Sequence, residues 1–323
     1  MIKTLVTCIA LSTATAAFAQ TPSKGTVTTW AAKPAHMWSA ATHRMLLDAT
    51  RAGKRIVAVG EHGIILLSDD EGKTYRQARS VPVSATLSAV SFADDKHGWV
   101  VGQWGVILAT RDGGETWEKQ RMDTAADQPL FSVLFTNDRD GLAVGLWSLM
   151  LQTHDGGKTW TKTTLPKPPD GGKADRNLYH VFADQKGALY ISAEQGIVLK
   201  STDGGANWDY LATGSKGSLW SGVAMPDGRI VVGGLLGSVF QSKDGGATWS
   251  PLKTGTKSSI TELTAVGNEL VGVGLDGLVM KQKALDASFE VKQREDRATL
   301  TGSLKNDAGR IILFAREGLL AEH

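Results

Sequence analysis

The chain has 323 residues, 41% of them hydrophobic and 21% charged, and a formal net charge of +2. This is the balance of a folded globular protein rather than a disordered or fibrous one, and it supplies no basic face for nucleic acid to bind. One cysteine, Cys8, rules out an internal disulfide.

Residues 1–19 read as a secretory leader. Lys3 gives the charged start, residues 5–11 a short apolar run, and Ala17-Phe18-Ala19 a small-residue cleavage signal before Gln20. The run is too short to cross a bilayer. The expected mature chain is therefore cut after Ala19, periplasmic or secreted, without a transmembrane segment and without a thiol. Residues 20–26 are polar and expected to be flexible. Residues 27–34 (Val27-Thr28-Thr29-Trp30 through Pro34) resemble the stretch that follows a recurrent turn later in the chain, yet no such turn precedes them.

That turn is an octet, seen as Ser242-Lys243-Asp244-Gly245-Gly246-Ala247-Thr248-Trp249. It occurs five times, at residues 68–75, 110–117, 153–160, 201–208 and 242–249. A hydroxyl residue opens it and Asp70, Asp112, Asp155, Asp203 or Asp244 stands third. A glycine pair follows (Glu71-Gly72 in the first copy), and an aromatic closes it. The carboxylate and hydroxyl can accept hydrogen bonds from turn amides, and the glycines can take positive φ. The closing aromatics are spaced by 42, 43, 48 and 41 residues. A period near 40 is the mark of a repeat architecture, so the length does not imply two domains.

Seven tight hairpins keep the same period, aligned on Gly63, Gly105, Ser148, Gly196, Gly237, Gly277 and Gly318. Apolar β-formers flank each turn. Another short strand precedes each hairpin, at residues 45–49, 87–92, 130–135, 178–182, 219–224, 260–265 and 300–304. With the strand carrying the aromatic, each repeat has four strands, which is one propeller blade. The sixth copy keeps Phe289 but has Ala284 where the Asp belongs, and the seventh ends before its fourth strand. The expected fold is all-β: a seven-bladed β-propeller over residues 27–323, its last blade closed by the N-terminal strand around Trp30, since an open ring leaves two exposed sheet edges. Residues 166–176, rich in Pro, Gly and charge, are the one long insertion.

The octet resembles the Asp-box, or BNR repeat, of sialidases, xyloglucan-degrading glycosidases and sortilin-type receptors. With seven repeats after a leader, and with Trp99-Val100-Val101-Gly102 followed by the octet ending at Trp117, the chain most resembles the photosystem II stability/assembly factor family. The resemblance covers about residues 27–323. It implies a non-catalytic periplasmic or lumenal scaffold that holds a protein partner, a membrane protein or, as for relatives encoded beside them, a large exporter. It says nothing of photosynthesis in the host.

A glycan-active or glycan-binding propeller is the rival reading. Against a sialidase stand the absent Arg-Ile/Leu-Pro start and the shortage of free tyrosines: Tyr75 closes an octet, Tyr190 sits in a hairpin strand, Tyr210 follows an octet strand, and only Tyr179 lies where a channel-facing residue is expected. The five octet aspartates recur once per blade and are expected to serve their own turns. No metal site is expected, since the seven histidines show no ligand spacing. No cofactor and no catalytic residue is assigned, and a monomer is expected. The candidate partner-binding residues lie on the rim away from the octets. They are His62, Gln103, Trp104 and Trp147 at hairpin tips, and Phe131, Tyr179 and Trp220, each second in its inner strand. Exposed aromatics with a polar border are typical partner anchors.

Overall fold

The computed structural model describes residues 30–284 and 288–320, so the expected leader and flexible N-terminus lie outside the described residues. Seven antiparallel sheets follow one another along the chain. In the first, β1 (Leu46–Ala52), β2 (Arg55–Gly60), β3 (Ile65–Ser68) and β4 (Arg76–Gln77) pair in that order. The next blades begin with inner strands Leu87–Phe92, Leu130–Phe135, Leu178–Ala183, Leu219–Ala224 and Ile260–Val266, each again followed by three more strands. The seventh, opened by Leu300–Lys305, has three strands among the described residues. Neighbouring inner strands touch all the way round, β1 against Leu300–Lys305 included, so the ring closes into a seven-bladed propeller.

The two rims are set by local backbone chemistry. Each hairpin turn between second and third strand donates a hydrogen bond to the carbonyl just before the inner strand of its own blade: Glu61 N to Met45 O, Gln103 N to Thr86 O, Leu146 N to Pro129 O. That contact puts hairpin tips and inner-strand starts on one rim. It also explains the glycine before five of the seven turns, Ala193 and Ala315 standing in the other two. Gly60, Gly102 and Gly145 have an extended φ, but a Cβ there would stand 2.0–2.1 Å from that same carbonyl oxygen.

The octets form the opposite rim. In the first, Ser68 Oγ donates to Asp70 Oδ1, the Gly72 amide donates to Ser68 Oγ, and the amide and hydroxyl of Thr74 donate to the two Asp70 oxygens. The hydroxyl and then the amide of Thr74 hold the Asp70 carboxyl down to about 2. The other four octets repeat these bonds. The closing aromatic fills the seam with the preceding blade. Trp117 lies among Val57, Leu67, Val100 and Leu108, and Trp208 among Leu142, Met150, Ile191 and Leu199. Tyr75 packs in the seam between blades seven and one. The seam between blades six and seven has no such ring, because the seventh repeat lacks its fourth strand among the described residues. A cavity of about 740 Å³ lined by Val279, Val291, Arg294 and Leu313 occupies that region.

An inner strand is the free edge of its sheet, and its outward backbone groups need partners. Side chains of the preceding blade supply them. At the third inner-strand position, Asp48 accepts from Val90 N, Ser132 from Val181 N, His180 from Gly222 N, Ser221 from Leu263 N and Glu262 from Ser303 N. Blades two and seven have Ala89 and Gly302 there. A hydroxyl at the second position bridges those seams instead, Ser88 to Leu130 O and Thr301 to Leu46 O.

The expected closure of the seventh blade by the segment around Trp30 is corrected. Trp30 starts a helical turn, its ring edge-on to His62 at 5.0 Å, and Ala31 is buried in the core between blades one and two. Ala35 N donates to Val81 O and Ser84 N to Ala31 O. The segment is drawn there because the linker joining blades one and two offers backbone groups with no strand partner. Side chains close the ring. Phe314, Leu304, Ile312 and Leu319 pack with Leu46, Ile56, Ala58 and Leu66. Arg51 binds both Glu71 carboxylate oxygens, at 3.2 and 2.8 Å, and Glu71 accepts from the Asp307 amide at 2.7 Å. Glu71 occupies an octet glycine position with φ of 63°. The conformation is unfavourable for a side chain, and the carboxylate that ties blade one to blade seven offsets it. Glu71→Ala loses the tie and keeps the backbone strain, whereas Glu71→Gly loses the tie and relieves the strain. Thermal unfolding is expected to rank the Tm values native, then Glu71→Gly, then Glu71→Ala.

Candidate functional site

The hairpin rim is not uniform. The middle residue of six turns lies in the left-handed region: His62, Trp104, Trp147, Gln195, Leu236 and Asp276, with φ between 52° and 62°. That geometry aims each side chain off the sheet, and what it meets differs by blade. His62 is covered by the chain's own N-terminal segment, between Trp30 and Trp38. Trp104 is half-buried against the core between blades one and two, and Gln103 beside it is exposed. Trp147, in blade three, is 60% exposed, and Leu236, in blade five, is 75% exposed. The open apolar part of the rim therefore lies over blades three to five.

Beneath these tips the half-buried inner-strand aromatics face the same sector. Phe131 and Tyr179 stack with centroids 5.9 Å apart and planes at 17°. Trp220 holds the same strand position in the next blade and is half-buried. Blades two, six and seven carry Ser88, Thr261 and Thr301 at this position, each donating to a backbone carbonyl of the next blade. Aromatic rings thus stand where the third-position side chain already bridges the seam.

A polar network fixes the sector. The Trp147 amide donates to Asn177 Oδ1 at 3.0 Å, and Asn177 donates from its amide and from Nδ2 to the two Glu194 oxygens at 2.9 Å. Tyr179 Oη reaches Glu194 Oε1 at 3.3 Å. The 166–176 insertion is pinned beside it. Arg176 is 8% exposed, its carbonyl accepts from the amide and hydroxyl of Ser148, and its guanidinium binds Asp170 and Gln195. Ser148, where the other hairpins have glycine, takes φ of 54°, and its two bonds to Arg176 hold it there. Sequence reasoning missed Leu236, Asn177, Glu194 and Arg176. A leucine pair at a turn tip, Leu235-Leu236, was the visible signal; nothing in the sequence marked Arg176.

Under the aromatics, His180 accepts from the Gly222 amide through Nδ1 at 3.2 Å, which requires that nitrogen to be unprotonated. Burial holds its imidazole down to about 4. Among the described residues no group of three or more His, Cys, Asp or Glu is placed to hold a metal ion, and no helix is long and apolar enough to cross a membrane.

The sequence profile of the family described as photosynthesis system II assembly factor YCF48 matches residues 77–268, well over half the chain. The chain belongs to that family. The matched stretch includes Trp104, Phe131, Trp147, Tyr179, Trp220 and Leu236. Among curated family proteins, the photosystem II assembly lipoprotein Ycf48 of Prochlorococcus marinus is 41% identical over 130 residues, 40% of this chain and 37% of that one. That of Picosynechococcus sp. is 38% identical over 148 residues, 46% and 42%. The matches span less than half the length of these relatives. A solved structure, "YCF48 bound to D1 peptide", superposes with a TM-score of 0.71 over 90% of this chain and 97% of that one at 16% identity. YCF48 from Cyanidioschyzon merolae gives 0.68 over 89% and 98%, also at 16%. At that identity the likeness is one of fold.

His180 gives this sector a pH dependence of defined sign. Its folded pKa lies below the ordinary 6.5, so the unfolded chain binds the extra proton between pH 6.5 and 4, and stability falls as pH is lowered through that window. In His180→Asn the side-chain oxygen keeps the acceptor without titrating. Urea unfolding at pH 7.5, 6, 5 and 4 is expected to show a steeper acid loss in the native chain than in the variant.

Proposed function

We propose that the chain is a non-catalytic periplasmic scaffold that holds an extended segment of a membrane-protein or exporter partner on the hairpin rim over blades three to five, and so aids the partner's assembly or stability. The observation that carries this reading is the pair of exposed apolar tips, Trp147 and Leu236, flanking the stacked Phe131 and Tyr179. Large apolar side chains projected from turns of fixed backbone geometry need no backbone ordering on binding, which lowers its cost. The polar rim around them, Asn177, Glu194 and Gln195, suits a peptide backbone. Family membership supports an assembly role, and a solved YCF48 of the same fold is bound to a D1 peptide. The leader-like residues 1–19 support export.

The test is a photo-crosslinking amino acid placed at position 147, and at Lys158 on the octet rim as control, in cells of the native host. A membrane protein joined to position 147 and not to 158 is the expected product. Equal labelling at both, or recognition of a glycan on an array in place of a protein, would sink the reading. Once that partner is in hand, Trp147→Ala is expected to weaken capture about tenfold or more. Trp147→Ala and Leu236→Ala should each change unfolding free energy by no more than about 0.5 kcal/mol. Trp104→Ala, which removes a half-buried ring, should cost about 1–3 kcal/mol. N-terminal sequencing of the exported protein is expected to begin at Gln20.

A further inference from the structure

The bridges between inner strands single out blade seven. It brings Gly302 to the position where five other blades place a bonding side chain, and it has the fewest strands among the described residues. Two carboxyl side chains stand on either side of that glycine. From blade six, Glu262 Oε2 accepts from the amide and hydroxyl of Ser303, at 2.6 and 3.0 Å. From blade one, Asp48 uses Oδ2 to accept from Val90 N and Oδ1 to accept from Ala49 N, the amide that Gly302 leaves unbridged. A Cβ on Gly302 would lie in ordinary contact with Glu262 Oε1, at 3.5 Å, so the second Glu262 oxygen faces that glycine.

We propose that Asp48 and Glu262 form a proton-dependent clasp on the seventh blade, tight while Glu262 keeps its proton and loosened when both are ionised.

The geometry supplies the mechanism. Glu262 holds both Ser303 donors with one oxygen, which a protonated carboxyl does as well as an ionised one. A second negative charge brings no new donor and places two like charges across a single glycine. The surrounding strands bring little to offset it. Leu219–Ala224, Leu87–Phe92 and Ile311–Ala315 carry no titratable side chain. On Leu300–Lys305 the one such group, Lys305, is exposed at the far end. On β1, Arg51 is taken up by Glu71 and Asp307. Arg55 opens β2 and pairs with Asp69 and Glu115. Glu269 opens the strand after Glu262, and in the adjoining hairpin Asp276 is held by Arg297 and Gln293. Burial first, then the Asp48 charge, pushes the Glu262 carboxyl up to about 8, and burial pushes Asp48 up to about 6. A carboxyl with a raised folded pKa contributes stability that is complete below its unfolded pKa and is lost as pH rises through the folded one. The window for Glu262 therefore runs from about pH 4.5 to about pH 8. The seam it holds lacks an octet aromatic among the described residues and borders the 740 Å³ cavity; the apolar cluster around Leu300 and Leu313 and the bond from Thr261 to Leu300 O also hold it.

The experiment compares the native chain with Glu262→Gln, which keeps the acceptor oxygen and cannot ionise. Urea unfolding is followed from pH 5 to 9, with hydrogen exchange of residues 300–320 corrected for the intrinsic pH effect. Between pH 5 and pH 8 the folded-to-unfolded ratio of the native chain is expected to fall at least about tenfold relative to the variant. Exchange in the seventh blade should accelerate only in the native chain. Parallel profiles, or acceleration spread evenly over all blades, overturn the proposal. Asp48→Asn is the second arm: with its neighbour's charge gone, Glu262 should titrate lower and the midpoint of the loss should move to lower pH. An unmoved midpoint also overturns it.

Discussion

An edge strand must have its outward backbone groups satisfied, and a propeller places seven such edges around one axis. Here each edge is served by a side chain from the blade before it. Two strand positions do most of the work: the third, through a carboxylate, imidazole or hydroxyl, and the second, through a hydroxyl; in blade two Ser91, fifth in its strand, also accepts from Phe135 N. Where the third position is Ala89 or Gly302, the second is Ser88 or Thr301. Blade six uses both, Glu262 and Thr261; where Ser132, His180 and Ser221 bond at the third position, the second is free to be Phe131, Tyr179 and Trp220. The aromatic sector of the rim is thus coupled to how the ring holds its own edges. A binding surface on one side of the axis is compatible with near-sevenfold architecture because only some blades need their second position for support.

The octets act at the other end of the same seams. Their aspartates saturate turn amides and hydroxyls, which accounts for five carboxyl groups that a sequence motif alone could offer to catalysis or calcium. Their aromatics fill the space between blades. The arrangement fails where the repeat fails: the sixth copy keeps Phe289 in the seam between blades five and six, and the seventh leaves its seam with a cavity. Closure across blade seven then rests on the apolar cluster around Phe314, on the Arg51–Glu71–Asp307 bridge, and on single hydrogen bonds such as that from Thr301 to Leu46. The first octet departs from the others at Glu71, and that departure is what reaches the last blade.

The sequence by itself determined the propeller, the number of blades, the two rims and the sector in which aromatics gather. Those features are local and periodic: a turn whose residues bond within eight positions, a hairpin whose glycine is demanded by its own blade, and a repeat that returns every 40 to 48 residues. Only the tertiary structure decided which tips stay open. Trp104 and Trp147 are alike in sequence, but the first leans on a core built from two blades and the second projects over Asn177 and Glu194. His62 is covered by a segment some thirty residues earlier in the chain, and Trp30 lies there rather than on blade seven. The same holds for Asp48 and Glu262, more than two hundred positions apart and brought to either side of one glycine by ring closure. The contacts of the N-terminal segment and of ring closure join residues that no period relates, so their partners become visible only once the ring is shut.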